Sequence, residues 1–151
     1  YIRVARPVCE DITEEDTPFI PGKANIMRDG NDVCIITAGL MVPIALKAAE
    51  ELEKEGISAA VVNMHTIKPI DTEIILEMNK KCKGIVTAEE HSVIGGLGSA
   101  VAEVLAGNAG AKFERVGIQD KFGKSGKPDQ LFAAYGLTAE NIIEKCKATL
   151  A

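Results

Sequence analysis

The chain has 151 residues, of which 46% are hydrophobic and 26% charged, and its formal net charge is −5. This length suits one ordinary domain, and the composition is that of a globular chain rather than a disordered one. The acidic balance argues against a broad nucleic-acid-binding surface, and the sequence shows neither a signal peptide nor an 18-residue apolar run that would predict a membrane span.

The first 23 residues differ in composition from the rest of the chain. Tyr1–Pro7 alternates apolar and basic residues and is typical of the end of a strand. An acidic stretch, Glu10–Asp16, and the turn residues Pro18 and Pro21-Gly22 follow, which indicates a linker. We therefore expect residues 1–23 to be the end of a preceding domain plus a linker, residues 24–151 to form the main domain, and the chain to be a fragment of a longer protein.

A hairpin is predicted at the start of the main domain. Ala24–Arg28 and Val33–Ala38 are apolar runs separated by Asp29-Gly30-Asn31-Asp32, a sequence typical of a tight turn between antiparallel strands. After Gly39, apolar residues recur at helical spacing as far as Leu52. This spacing predicts an amphipathic helix.

Two further strand–helix units follow the same plan. Ser58–Met64 is predicted as a strand, and Asp71 as the N-cap of the next helix. Gly84–Ala88 is predicted as a strand, Glu89–Gly96 as a turn, and Leu97 as the start of a helix that ends near Gly107.

The last part of the chain predicts one strand and two helices. Lys112–Ile118 is the strand, Pro128 can begin a short helix that Gly136 closes, and Thr138 can cap the final helix. Alternating strands and helices of this length predict right-handed crossovers and a parallel sheet covered on both faces. We therefore expect an α/β fold: a three-layer α/β/α sandwich with a mainly parallel five-stranded sheet (33–38, 58–64, 84–88, 113–118) and residues 24–28 as an antiparallel edge strand.

The four cysteines, Cys9, Cys34, Cys82 and Cys146, form no C-x-x-C pair, and no histidine stands at zinc-finger spacing. No metal site is predicted. Cys34 lies in an apolar run and Cys146 on the apolar face of the last helix, where a free thiol behaves as a small hydrophobic group. Free core thiols indicate a reducing, cytoplasmic compartment.

Both histidines of the chain fall at the predicted carboxyl ends of strands, the edge at which open α/β sheets bind ligands. His91 and His65 can act there as proton donors or acceptors. They can equally well satisfy backbone carbonyls in turns or lie at a subunit contact, and both interpretations stay open.

The stretch Glu89–Gly98 has the most unusual composition. Gly95, Gly96 and Gly98 at a helix start could bind a phosphate, but they match no phosphate-loop pattern and follow two acids, so tight turning and close packing explain them better. Glu89 and Glu90 are neighbours in an extended segment and point to opposite faces, so at most one joins any given site.

Two basic regions could hold an anion. Lys121, Lys124 and Lys127 form a glycine-containing loop that we interpret as solvated. Arg3 and Arg6 stand in the apolar terminal segment, where guanidinium groups can bind phosphate or carboxylate in a bidentate way or can simply mark a surface strand end.

Three ordered motifs resemble a known family. They are Thr66-Ile67-Lys68-Pro69-Ile70-Asp71, the stretch Thr87–Val101 with its Glu89-Glu90-His91-Ser92 and Gly95-Gly96-Leu97-Gly98, and Phe122-Gly123-x-Ser125-Gly126-x-Pro128 followed by Tyr135-Gly136-Leu137-Thr138. Together they span about residues 24–148 and resemble the C-terminal domain of transketolases. Tyr1–Pro7 is similar to the last strand of the preceding pyrimidine-binding domain.

The resemblance implies a transferase that uses thiamine diphosphate and Mg²⁺ to move a two-carbon ketol unit between sugar phosphates. In this family the cofactor lies between the other domains, so the resemblance implies no catalytic, cofactor or metal residue in this chain. The isolated chain is expected to be inactive, to support dimer assembly and to need an N-terminal subunit or domains.

The resemblance also implies a phosphate contact from the arginine that ends the pyrimidine domain. Arg6 matches that arginine best, with Arg3 as the second choice, while His91, His65 and Glu90 are candidates for the rim of the site or an interface. The alternatives are the same domain of 1-deoxyxylulose-5-phosphate synthase or of a 2-oxo acid dehydrogenase β subunit, and a non-enzymatic module that binds an anion or forms dimers. The motif Phe122–Pro128 fits transketolase better than the other enzymes.

Overall fold

The computed structural model describes all residues, 1–151, and contains five strands and five helices. The strands are β1 (Asn25–Arg28), β2 (Val33–Thr37), β3 (Ala59–Asn63), β4 (Gly84–Ser92) and β5 (Lys112–Ile118). The helices are α1 (Met41–Lys54), α2 (Thr72–Lys81), α3 (Leu97–Leu105), α4 (Pro128–Tyr135) and α5 (Ala139–Leu150).

The strands form one sheet in the order β1-β3-β2-β4-β5. β3, β2, β4 and β5 run parallel, and β1 pairs antiparallel with β3 at one edge. One core cluster joins α1 and α5 to one face of the sheet, and a second joins α2 and α3 to the other. The predicted three-layer α/β/α sandwich is confirmed.

The two central strands are apolar because both of their faces are covered. Every residue of β2 is buried, and so is every residue of β3. Cys34 and Cys146 lie in this core, as the sequence predicts, and burial raises the pKa of the Cys146 thiol to about 12. An aliphatic core of this kind is stabilised by removal of apolar surface from water, without disulfides.

The predicted hairpin between β1 and β2 is wrong, although the antiparallel edge strand is confirmed. β1 pairs with β3, with Asn25 opposite Asn63. β2 has no free edge, since β3 and β4 flank it on both sides. The intervening turn is held at the start of β3, where the Ser58 N–H donates to the Asp32 carboxylate at 2.9 Å and the Asp32 N–H donates to the Ser58 carbonyl at 2.9 Å.

The predicted turn at Glu89–Gly96 is also partly wrong, because β4 continues through Ser92. β5 is long enough to pair with this extension: Ser92 lies opposite Ile118, after an irregularity in register. The Val93 N–H then donates to the Ile118 carbonyl at 3.0 Å. Glu89 and Glu90 are therefore strand residues at the carboxyl edge of the sheet.

The strand end predicted at Tyr1–Pro7 is not formed, and residues 1–24 contain no helix or strand. Tyr1, Ile2 and Val4 are each more than 80% exposed. A strand needs a neighbouring strand to satisfy its backbone groups, and none lies beside this segment. Its assignment to a preceding domain stays a prediction.

The predicted helix caps are confirmed. The Asp71 carboxylate accepts from the Ile74 N–H, the Thr138 hydroxyl accepts from the Asn141 N–H, and Gly136 ends α4 with φ 69°. Asp71 has a second role that the sequence did not indicate, because its other oxygen accepts from the Ala24 N–H at 3.0 Å. It thus joins the end of the linker to α2.

None of the helices combines the length and the apolar character needed to cross a membrane.

Candidate functional site

The carboxyl ends of the four parallel strands meet at one edge of the sheet, where the sequence placed the candidate residues. Asn63 and Thr37 end β3 and β2 side by side, and the Thr37 hydroxyl donates to the Ala88 carbonyl at 2.8 Å. β4, whose Ala88 lies opposite Thr37, continues past this point to Ser92.

Glu89 is the best-satisfied acidic group of this edge. One carboxylate oxygen accepts from the Leu97 N–H at 2.7 Å and the other from the Gly98 N–H at 2.8 Å, and the residue is 5% exposed. The first N–H groups of a helix have no partner within the helix, and the helix dipole favours a negative charge there. Glu89 therefore occupies the place at the start of α3 that a phosphate would need.

The glycines at the corner between β4 and α3 allow close packing, which is the interpretation that the sequence favours. A Cβ on Gly96 would lie 2.0 Å from a Glu89 carboxylate oxygen and 2.8 Å from His91 Nδ1. A Cβ on Gly98 would lie 2.8 Å from the Thr87 hydroxyl oxygen. Gly95 adopts φ 77°, which glycine tolerates and other residues rarely adopt.

His91 stands on the outer side of the same corner, with 48% of its side chain exposed. Its Nδ1 lies 2.8 Å from the Ser92 carbonyl and 3.9 Å from the buried Glu89 carboxylate. Since a carbonyl only accepts, Nδ1 carries the proton in the neutral ring and Nε2 is then the acceptor. Of the two neighbouring acids, Glu89 alone joins this corner, as the alternation of strand side chains predicts.

His65 lies in a separate, half-buried environment. Its Nδ1 is 2.9 Å from the Thr66 hydroxyl, and the Phe19 ring of the linker packs on it with centroids 4.4 Å apart. His65 Nε2 is buried without a partner, and burial lowers the pKa of this imidazole. No hydrogen bond joins His65 to His91, so the two histidines do not form one catalytic pair.

The two N-terminal arginines differ in their contacts. Arg3 Nη2 donates to the Glu90 carbonyl at 3.1 Å and lies 3.6 Å from the Glu90 carboxylate. Arg6 is exposed and takes part in no ion pair or hydrogen bond. The structure thus brings Arg3 and Glu90 together at the carboxyl edge and leaves the Arg6 guanidinium open to solvent.

The lysine loop is solvated, as interpreted from the sequence. Lys121, Lys124 and Lys127 are exposed and form no ion pair. The Tyr135 hydroxyl donates to the Phe122 carbonyl at 2.9 Å and holds one end of this loop to α4. No three His, Cys, Asp or Glu side chains of the chain stand together in a way that could hold a metal ion.

One anchoring residue, Asn79, was missed from the sequence, and so was the second contact of Asp71. Asn79 of α2 is buried and holds the chain between α3 and β5, because its side-chain oxygen accepts from the Ala111 N–H at 2.9 Å. Asp71 was predicted only as a cap. A polar residue on the inner face of an amphipathic helix is the signal that could have indicated Asn79.

Comparison with known proteins gives one family. Residues 22–142 match the family described as "Transketolase, C-terminal domain". The 6-deoxy-6-sulfo-D-fructose transketolase subunit of Clostridium sp. strain MSTE9 is 48% identical over 143 residues, which cover 95% of this chain and 44% of that protein. A protein of Methanocaldococcus jannaschii named as a transketolase C-terminal section is 51% identical over 149 residues, which cover 96% of this chain and 46% of that protein.

A solved structure is similar throughout the fold. The structure titled "Split gene transketolase, inactive beta4 tetramer" superposes with a TM-score of 0.89 at 45% identity, covering 93% of this chain and 46% of that one. The chain therefore spans about half the length of each of these three proteins.

Proposed function

This chain belongs to the transketolase C-terminal domain family, and we propose that it is the C-terminal part of a thiamine-diphosphate-dependent transketolase that transfers a two-carbon ketol unit between sugar phosphates. The observation that carries the proposal is the match over residues 22–142 together with relatives that are named as transketolase subunits or sections. Because the chain spans only about half of those proteins, the complete activity requires an N-terminal transketolase subunit or domains.

The chemistry of this chain supports a non-catalytic role. Thiamine diphosphate carries a diphosphate that is held through a divalent metal, and it supplies the carbanion chemistry when bound. The residues present do not fit this group: Glu89 fills the anion position at the start of α3, and no cluster of metal-ligating side chains exists. We therefore assign the cofactor and Mg²⁺ to the rest of the assembly and derive no step through them here.

The proposed contributions of this chain are support and substrate contact. It provides a rigid domain through which the enzyme assembles, including as a homodimer. Arg6 contacts the phosphate of the sugar, and Arg3 is the second choice for this contact. Arg6 is free to bind an anion, whereas Arg3 already faces the Glu90 carboxylate. His91, His65 and Glu90 contribute to the rim of the site or to an interface, and His91 is the most accessible of the three because Phe19 covers His65.

We propose that the chain has no activity on its own and that the protein is located in the cytoplasm. A similar chain is described as an inactive tetramer of a split-gene transketolase, which supports the first point. Three free cysteines buried in the core, Cys34, Cys82 and Cys146, support a reducing compartment.

Reconstitution tests the proposal. The chain is mixed with the N-terminal transketolase subunit, thiamine diphosphate and Mg²⁺, and ketol transfer from xylulose 5-phosphate to ribose 5-phosphate is measured. We expect activity in the mixture and none with either chain alone. In a second assay with pyruvate and glyceraldehyde 3-phosphate, release of CO2 and formation of deoxyxylulose phosphate, without ketol transfer in the first assay, would instead support the 1-deoxyxylulose-5-phosphate synthase alternative.

Calorimetry separates the enzyme-subunit proposal from a stand-alone anion-binding module. We expect no heat of binding when thiamine diphosphate and Mg²⁺ are added to this chain alone. Tight binding by the isolated chain would contradict the assignment of the cofactor and Mg²⁺ to the rest of the assembly.

A further inference from the structure

The pairing of β4 with β5 is irregular at the carboxyl edge of the sheet. Ala88 lies opposite Val116, and the next paired residues are Ser92 and Ile118. β4 therefore advances four residues while β5 advances two. Additional residues in one strand bend that strand and change the direction of its side chains, and such irregularities are common next to functional sites. Glu90 lies within this irregular part of β4.

The two adjacent acids of β4 bind different parts of the chain. The Glu89 carboxylate binds the start of α3 and is buried. Glu90 points to the opposite face of the strand, where it meets the N-terminal segment. Arg3 Nη2 donates to the Glu90 carbonyl at 3.1 Å and lies 3.6 Å from the Glu90 carboxylate. The backbone and the side chain of Glu90 thus both contact one guanidinium group.

The contact between Arg3 and Glu90 is the one place at which a hydrogen bond or ion pair joins residues 1–17 to the rest of the domain. The next contacts along the chain are those of Pro18 with β1 and of Phe19 with the loop after β3. Residues 1–17 contain no helix or strand that would hold them otherwise. The amino-terminal part of the segment is therefore located by Arg3.

Arg6 follows Arg3 by three residues, and three residues of extended chain span at most about 11 Å. Arg6 takes part in no ion pair or hydrogen bond of its own. The contact of Arg3 therefore limits where the Arg6 guanidinium can stand relative to the carboxyl edge. A cation that is already restrained in the free protein loses less entropy on binding an anion than one on an unrestrained segment.

We propose that Glu90 is a positioning residue for the substrate phosphate: it binds Arg3 and thereby holds Arg6 where the phosphate of the sugar binds. This assignment rests on the proposed function, in which Arg6 contacts that phosphate. It makes Arg3 a tether rather than a phosphate ligand. Because 55% of the Arg3 side chain is exposed, the tether should contribute a few-fold effect rather than one of several orders of magnitude.

Charge reversal at Glu90 separates positioning from simple electrostatics. If Glu90 acted only through its charge, Glu90→Lys would replace an anion by a cation near the phosphate and would lower KM for a phosphorylated donor. If Glu90 holds Arg3, the same change repels the guanidinium, releases the segment and raises KM. The two explanations predict changes of opposite sign.

Steady-state kinetics of the enzyme reconstituted with the N-terminal subunit measures this sign. With xylulose 5-phosphate as donor, Glu90→Lys should raise KM about three- to tenfold and leave kcat within about twofold, because the phosphate is remote from the reacting carbons. With xylulose, the same donor without its phosphate, kcat/KM should stay within about twofold of that of the unmodified enzyme.

Glu144→Lys is the matched control. Glu144 is exposed on α5 and forms no ion pair, and its substitution makes the same change in net charge. KM for xylulose 5-phosphate should stay within about twofold in this variant.

A charge exchange tests whether Arg3 is a tether or a phosphate ligand. The double variant Arg3→Glu with Glu90→Arg restores an ion pair with its partners exchanged, so KM for xylulose 5-phosphate should return to within about twofold of the unmodified value. If Arg3 itself bound the phosphate, the Arg3→Glu change would place a carboxylate against that phosphate, and KM would rise further in the double variant.

The tether is also measurable on the 151-residue chain, without any reaction. Backbone order parameters from NMR report motion on the picosecond to nanosecond timescale. Those of the Arg3 and Arg6 amides should fall in the Glu90→Lys variant, and in the unmodified chain they should fall as salt rises. The order parameter of Phe19 should not change, because its contact with His65 is separate. Circular dichroism verifies that each variant is folded.

Three results would overturn the proposal. They are a KM for xylulose 5-phosphate that Glu90→Lys lowers or leaves unaltered, a KM that the charge exchange does not restore, and order parameters at Arg3 and Arg6 that do not depend on Glu90. Absence of ketol transfer in the unmodified mixture would overturn the proposed function and this proposal together. Ketol transfer with a KM that is independent of Glu90 would overturn this proposal alone.

Discussion

The Glu89 carboxylate accepts a hydrogen bond of 2.7 Å from the Leu97 backbone N–H, eight residues further along the chain. With the second bond from Gly98, at 2.8 Å, it connects the end of β4 to the start of α3. The most distinctive part of the sequence is thus a structural corner, and its acidic group is directed inward at a helix terminus. This relationship makes the role of Glu89 measurable through stability rather than through catalysis.

Glu89→Gln should destabilise the domain by about 1–3 kcal/mol, because the amide replaces one of the two acceptor oxygens with a donor and leaves a buried N–H unpaired. Urea unfolding followed by circular dichroism measures the change. Glu90→Gln is the matched control. The Glu90 side chain is 37% exposed, so loss of its charge should lower the free energy of unfolding by less than about 0.5 kcal/mol. Equal losses in the two variants would show that Glu89 does not stabilise the corner.

Gly96→Ala should cost about 1–3 kcal/mol, since its Cβ would lie 2.0 Å from a Glu89 oxygen that is already held by two hydrogen bonds. The same urea experiment measures the loss. Gly123→Ala provides the comparison, because a Cβ there has no heavy atom within 4 Å and should change stability by less than about 0.5 kcal/mol. A Gly96→Ala protein as stable as the unmodified chain would contradict the close packing described.

Arg6→Gln in the reconstituted enzyme should raise KM for phosphorylated donors several-fold and leave kcat nearly unchanged, because a phosphate contact away from the reacting carbons contributes mainly to binding. Steady-state kinetics with xylulose 5-phosphate measures both constants. Arg3→Gln is the comparison, since Arg3 is already engaged with Glu90. A KM that rises only in the Arg3 variant would transfer the phosphate contact to Arg3.

His65 should make stability depend on pH. Burial lowers the pKa of the folded imidazole below its ordinary value of 6.5, so the unfolded chain binds the proton more readily. The contribution of His65 is therefore complete above about pH 6.5 and decreases as the pH falls from there towards the lowered folded pKa.

Urea unfolding between pH 7.5 and pH 5 measures this dependence, and His65→Gln should flatten it. His91→Gln, which changes the other histidine of the chain, should retain the slope. A slope that survives in the His65 variant would assign it to another group.

Thiol labelling should distinguish Cys9 from the other three cysteines. Cys9 is exposed, whereas burial raises the pKa of the Cys34 and Cys82 thiols and that of Cys146 to about 12. Because the thiolate is the reactive form, the native chain should react rapidly with one equivalent of a disulfide reagent, and the unfolded chain with four. Cys9→Ser should remove the rapid phase; a rapid phase that persists would mean that a core cysteine is accessible.

The sequence by itself determined the features that local chemistry specifies. Apolar runs such as Val33–Ala38 predicted buried parallel strands, and the observed strand covers Val33–Thr37. Asp71, Thr138 and Gly136 predicted helix ends, because caps depend on a few neighbouring residues. The ordered motifs also indicated the family, to which residues 22–142 belong.

Only the tertiary structure decided which strands pair and where the polar groups point. The Asp29-Gly30 turn predicted a hairpin, yet β1 pairs with β3, since the parallel partners of β2 occupy both of its edges. Glu89 was one of two adjacent acids until packing placed its carboxylate on the N–H groups of α3. Pairing and burial join residues far apart in the chain, and the free energy of those contacts overrides local turn signals.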